Sequence, residues 1–321
     1  MELSGFAAYA VFFLTFVGIY AVLILGLNLQ WGFTGQVNFG VAAFFMVGAY
    51  TQAIVTTAPT EDHLGGFGMP FIVGLIVSMI MSGALALVIG LITLRLRADY
   101  LAIGTIGIAE IVRQILKNED WLTNGVRGIT AIEKPFKGAL GGANPLIYLA
   151  IVVAAVAIVF LALERARTAP FGRVLRALRE NEDTARASGK SIISFQLQSF
   201  VLGSAIMGLA GGLYAPFFAF ISPEAFTNLY ATFLPWVMLI AGGSGNNYGA
   251  VLGALVIWLV WSLTERLIDQ LLPASMVAQA GAVRLLFIGV LLQVILLFRP
   301  QGLMPERFSF VRLIRRVASK S

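Results

Sequence analysis

About nine runs of apolar residues, separated by polar or Gly-rich breaks, make up most of the chain. They lie near residues 6–28, 36–57, 70–94, 99–116, 146–163, 195–220, 226–241, 249–267 and 282–298. Crossing about 30 Å of hydrocarbon takes about 20 helical residues, so each run predicts a membrane-spanning helix. The seventh is short and contains Pro235. That predicts a re-entrant or broken helix, tolerated only where protein or water covers the freed backbone. Lipid admits only helices and closed barrels, and these run lengths are those of helices. The pattern therefore predicts an all-α integral membrane protein, a polytopic bundle of about nine transmembrane helices.

One polar stretch, residues 168–196, interrupts the pattern between the fifth and sixth runs. Thr168 suits an N-cap, Pro170 a first turn, and Gly189 a left-handed C-cap. Phe171, Val174, Leu175 and Leu178 form one narrow apolar face. Arg176 and Glu180, Arg179 and Asp183, and Glu182 and Arg186 are each four apart and are expected to pair. The reading is one amphipathic helix over 168–190 at the membrane surface, a handle for a soluble partner. A solvated connector with snorkelling arginines has the same composition. The turns Gly32-Phe-Thr-Gly35-Gln36 and Gly242-Gly-Ser-Gly245-Asn246 echo one another, as repeated transporter halves do.

Composition agrees with the pattern. Of 321 residues, 59% are hydrophobic and 12% charged, and the mean hydropathy is +0.88. There is no cysteine, and the lone His63 sits beside Glu61 and Asp62, so no metal cluster is expected. The net charge of +6 does not point to nucleic acid, because the cations gather at span ends. Arg95 and Arg97 form one group; Arg165, Arg167, Arg173, Arg176, Arg179, Arg186 and Lys190 a second; Arg299, Arg307, Arg312, Arg315, Arg316 and Lys320 a third. The positive-inside rule puts all three in the cytoplasm, with the N-terminus outside and the C-terminus inside. Lys117, Arg127, Lys134 and Lys137 fall on the outer side, diluted by Glu119, Asp120 and Glu133. The N-terminus lacks the pattern of a cleavable signal. The expected division is a permease domain over 1–298, including a periplasmic loop at 118–145, and a basic cytoplasmic tail at 299–321.

Within the runs, Ser204, Gly208 and Gly212 make a flat face where a helix can come close. Glu110 and Arg113 share a face in the fourth run, as a structural pair or as part of a transport route. Gln36, Asn38 and Gln52 are uncharged polar residues in the second run, fit for interhelical bonds or for lining a path. Gly189-Lys190-Ser191 ends like a phosphate loop, but Thr184 stands where the motif needs glycine, and no strand precedes it. No zinc motif or nucleophile elbow is present, so nothing argues for an enzyme or a cofactor.

Several stretches, in order from Gly26 to Gly302, resemble the permease subunits of bacterial ABC importers for branched-chain amino acids, the LivM-like branch in particular. They are GLNLQWGFTGQ from Gly26, AAFFMVGAYT from Ala42, LRLRADYLAI from Leu94, EIVR from Glu110, LTNGVRGI from Leu122, PFGRVLRALRENE from Pro170, ISPEAF from Ile221 and FRPQG from Phe298. The resemblance implies a second related permease, two cytoplasmic ATPases, a periplasmic binding protein and an inner-membrane location. It makes 168–190 the coupling helix, with Arg179, Glu180, Asn181, Glu182 and Gly189 meeting the ATPase. Glu182-Asp183-Thr184-Ala185 keeps the family's small residues only in part. Asn124, Gly125 and Arg127 are expected to meet the binding protein, and Gln36, Asn38, Glu110 and Arg113 to lie along the pathway. Asn124, Val126, Arg127 and Val41 depart from the common pattern, which leaves urea or short amides as alternative cargo. The competing class is a stand-alone secondary transporter or channel driven through the Glu110–Arg113 pair.

Overall fold

The computed structural model describes residues 5–60, 63–94, 96, 98–135, 145–271, 280–299 and 301–306. Arg95, Arg97, Lys137 and the basic residues from Arg307 onward lie outside them. The chain forms helices α1 (Gly5–Thr34), α2 (Val41–Thr56), α3 (Phe71–Thr93), α4 (Ala98–Asn118), α5 (Asp120–Thr123) and α6 (Pro145–Thr168). Then follow α7 (Pro170–Glu180), α8 (Glu182–Ala187), α9 (Ile192–Phe218), α10 (Leu234–Gly242), α11 (Asn247–Leu271) and α12 (Ala280–Phe298). Among the described residues five helices are long and apolar enough to cross a membrane: α1, α3, α6, α9 and α11. The figure of about nine counts, in addition, the short α2 and α10, the charge-bearing α4, and α12.

Helix α9 is the centre of the bundle, with α1, α2 and α3 packed around it. Close approach needs small residues there. Gly48 of α2 lies against the Gly208 carbonyl, and Gly26 of α1 against the Gly203 carbonyl. Ser78 and Ser82 of α3 donate to the Gly48 and Phe44 carbonyls of α2 at 2.8 and 3.0 Å. Helices α6 and α11 flank α1, and α10 packs on α11.

The structure differs from the sequence reading at three breaks. The second run is not helical from its start: residues 35–40 form no regular element, so Gln36 and Asn38 precede α2 rather than sit within it. The surface helix is two helices, because Asn181 takes φ −160°, ψ 107° and accepts from Thr184 N at 2.9 Å, capping α8. Thr168 does not cap α7. Its hydroxyl bonds back to the Glu164 and Arg165 carbonyls and so belongs to the end of α6. Pro235 does stand in the first turn of a short helix. A proline ring crowds the carbonyl four residues back, and here the ladder widens just upstream into a π turn at Leu229–Phe233.

One end of the bundle carries α7, α8, the α10–α11 turn and residues 301–306, which fold back onto that turn. The other carries α5, a 3-10 turn at Gly125–Arg127 and a two-residue ladder pairing Ile129–Thr130 with Phe220–Ile221. Helix α1 reaches the α7 end with its C-terminus, where Gly32 O meets Arg179.

Candidate functional site

The irregular break between α1 and α2 is held at the heart of the bundle by uncharged polar groups. Gln30, four residues before the end of α1, donates to Phe200 O at 2.8 Å and to Ser204 Oγ at 3.0 Å. Its carbonyl oxygen accepts from Asn38 Nδ2 at 2.7 Å. Asn38 also accepts from Gly40 N at 2.7 Å, and its own carbonyl takes the Trp236 Nε1 proton at 2.9 Å. Phe39 N donates to Thr105 of α4, and Ala42 N to Thr232 of the π turn. Orphan backbone donors at the start of a helix need such partners when buried. Asn38 is thus committed to holding the break. Gln36 is not: it is buried, and neither polar atom of its side chain has a hydrogen-bond partner. A buried amide left unpaired costs about 1–3 kcal/mol. Gln36 is the one buried side chain in this break with both polar atoms unpaired. Gln52 donates to Phe71 O at 3.3 Å and joins α2 to the start of α3.

The two glycine turns that echo one another in sequence meet in space. Asn28 Oδ1 accepts from Gly245 N at 2.8 Å, and Asn28 Nδ2 donates to Asn247 at 3.0 Å. Ser204, Gly208 and Gly212 of α9 face this core. Ser204 takes the Gln30 bond, Gly208 lies against Gly48 and Ser82, and Gly212 against Leu75 and Ser78.

At the α7 end, Leu175 and Leu178 are buried and Phe171 and Val174 half-buried, so the apolar face points inward. Leu178, Ala185 and Ile192 pack together, which seats α8 on the start of α9. None of the three expected pairs forms as drawn. Arg176 bonds to the Gly172 and Arg167 carbonyls. Arg179 turns inward to Glu306 and Gly32 O. Glu182 accepts from Gln196 at 2.9 Å, and Arg186 pairs weakly with Asp183 at 3.7 Å. The break at Asn181 changes the phase of the helix between Arg179 and Asp183; the other two pairs lie within one helix each, and there Arg176 and Glu182 are taken by other partners. Glu180, Asn181, Glu182 and Gly189 are exposed, and Gly189 has φ +74° with open space around it.

At the other end Arg113 holds Glu110 with two bonds, at 2.7 and 3.0 Å. Both cations on this face extend to Glu224: Arg113 at 3.4 Å and Lys117 at 2.8 Å. The hydrogen bond from Lys117 holds the exposed Glu224 carboxyl below the usual carboxylate range. With Gln114 donating to Glu110 at 2.8 Å, the pair belongs to a five-residue network joining α4 to the loop after α9. Asn124 (φ +61°) and Gly125 (φ +54°) shape a tight turn, with Asn124 Nδ2 donating to Gly128 O at 2.9 Å. Val126 and Arg127 stand out from it, exposed.

Sequence reasoning missed Asn28, Gln30, Thr105, Thr232, Asn247 and Glu306. Asn28 and Gln30 carried a signal, being amide side chains at the end of a long apolar run. Glu306 carried none, lying in a segment read as tail.

A helical membrane bundle, broken at a polar centre and bearing short amphipathic helices at one end, defines a transport permease. The chain matches the family described as branched-chain amino acid transport system / permease component over residues 9–296, and it belongs to that family. It is 31% identical to the probable branched-chain amino acid transport permease protein LivM of Methanocaldococcus jannaschii, over 92% of each chain. To the high-affinity branched-chain amino acid transport system permease protein LivM of Escherichia coli it is also 31% identical, over 91% of this chain and 69% of that one. The probable LivH permease protein of M. jannaschii is 27% identical over 75% of this chain. No solved structure shows significant similarity to it.

Proposed function

We propose that this chain is the membrane permease of an ATP-driven importer for branched-chain amino acids. A second related permease would complete the channel, two cytoplasmic ATPases would drive it, and a periplasmic binding protein would deliver the cargo. The observation that carries the reading is the family match across residues 9–296, a span that includes the polar break and α7–α8. Likeness to both LivM and LivH proteins supports a paired permease. The arginines of α6 and α7 support a cytoplasmic α7 end and an outer N-terminus in an inner membrane.

Glu180, Asn181, Glu182 and Gly189 would then meet the ATPase, and Asn124, Gly125 and Arg127 the binding protein. Gln36 would lie on the pathway, with Asn38 shaping it. Glu110 and Arg113 hold each other too closely to serve as a free charge site, so they are placed at its outer rim. Movement of α7–α8 would tilt α6 and α9, to which they connect, and alternate the open side by rigid-body motion.

The test is reconstitution. With all partners in liposomes, labelled leucine should accumulate only with ATP, and the chain alone should be inert. ATP-independent transport by the chain alone would overturn the reading in favour of an autonomous carrier. Gly189→Trp should lower uptake by about tenfold at unchanged ATP hydrolysis relative to Gly189→Ala, which carries the same strain at φ +74° without the bulk. Unchanged uptake would remove this turn from the docking surface.

A further inference from the structure

The segment after α12 is a strap. Leu303 N donates to Ala241 O at 2.8 Å and Met304 N to Gly242 O at 2.9 Å. Asn246 Nδ2 reaches the Met304 and Pro305 carbonyls at 3.3 and 3.4 Å. Gly302, at φ +78°, crosses so near Gly243 that an added Cβ would lie 2.5 Å from its Cα. The strap and the α10–α11 turn therefore form one unit.

At its end stands Glu306, its side chain 9% exposed. Glu306 Oε2 accepts from Arg179 Nη2 at 2.7 Å, while Arg179 Nη1 bonds to Gly32 O at the end of α1. The other carboxylate oxygen, Oε1, is buried without a hydrogen-bond partner. Arg179 is thus the ion-pair partner of the one oxygen of Glu306 that is bonded. One planar guanidinium joins three elements: α7, the end of α1, and the strap with its turn. A fork of this kind fixes two acceptors in a defined geometry, which a flexible ammonium does not.

Two cavities border this joint. One of about 570 Å³ is lined by both members of the pair with Trp31, Gly35, Ser244 and Gln301. A second of about 620 Å³ is lined by Glu306 with Arg167, Asn246 and Tyr248. Empty space transmits no displacement, whereas packed and bonded atoms do.

We propose that Arg179 and Glu306 are positioning residues, a strut that carries movement of α7 into the α10–α11 turn and the end of α1. Arg179 does this work inside the permease, not at the ATPase surface. The proposal rests on reading α7–α8 as the docking segment. It adds that the stroke reaches the second half of the bundle through the strap and not only through α6 and α9.

The experiment assembles the full transporter with Glu306→Gln. It reads ATP hydrolysis and leucine uptake on the same liposomes. Glu306→Gln should retain its ATPases and their hydrolysis, yet move about tenfold less leucine per ATP. The chain has no cysteine, so Arg179→Cys/Glu306→Cys offers a second arm. Bridging the two thiols with a short bifunctional reagent should raise the ratio within one folded sample. An unchanged ratio in Glu306→Gln, loss of the ATPases from that complex, or no gain on bridging would each overturn the strut. If the unaltered complex fails to couple uptake to ATP, it is the functional reading that falls instead.

Discussion

Helices α1 and α6 pack against each other, and both are apolar over long stretches. Of the most apolar 18 residues in α1, 78% are buried; in α6 the figure is 22%. Helix α6 turns Val153, Ile158 and Leu161 outward, each more than half exposed. Helix α1 instead buries Asn28 and Gln30 with every polar group of their amides bonded. Lipid tails are as apolar as leucine, so apolarity does not decide which helix goes inside. Small residues that admit a neighbour, and polar side chains that find partners, do decide it. Gly26 against Gly203 and Gln30 against Ser204 are both kinds at one contact.

If that is the rule, damage should scale with interior role and not with hydrophobicity lost. The largest effect belongs to Gly48→Leu. Its side chain would collide with the Gly208 carbonyl and push α2 from α9. Loss of a monodisperse peak in detergent is the expected outcome; a normal peak would show that this contact is dispensable.

Next comes Gln30→Leu, which conserves size and adds apolarity. It strands Phe200 O, the Ser204 hydroxyl and the Asn38 amide. At about 0.6 kcal/mol per interhelical bond in a membrane protein, the loss is about 2 kcal/mol, read as a fall in Tm. Ile158→Ala on α6, which removes more apolar volume, should cost under about 0.5 kcal/mol. A larger fall for Ile158→Ala than for Gln30→Leu would reverse the comparison.

The same contrast explains what could be read in advance. Helical class, the long spans and the short seventh helix follow from run length, because lipid forces each span to satisfy its own backbone. The family's motifs were legible as residues in order. The extent of the break over 35–40 was not, since Gln36 and Asn38 also read as polar positions within a span, and Thr105, Thr232 and Trp236, which help to hold it, are remote in sequence. The division of the surface helix at Asn181 was missed because one side chain, free to cap a following helix, outweighs a continuous charged pattern. The bond from Arg179 to Glu306 joins residues 127 apart in sequence, beyond any local periodicity.

The smallest effect tests the charged counterpart of the buried knot. Helix α4 carries its ion pairs where it reaches the α5 end of the bundle, and Glu224 closes them from a neighbouring loop. The Lys117 hydrogen bond lowers the folded pKa of Glu224. A depressed carboxyl stabilises the fold above its unfolded pKa, and that contribution fades as pH falls through the folded value. The Tm advantage of the native chain over Glu224→Gln should therefore be present near neutral pH and shrink on acidification below the usual carboxylate range. Because Glu224 is exposed, the advantage should also shrink in high salt, as a surface pair does. Gln30→Leu should show neither dependence, since an amide knot carries no charge. A difference for Glu224→Gln that survives both acid and salt would mean that Glu224 acts through packing, and that the α5 end is built on the same terms as the core.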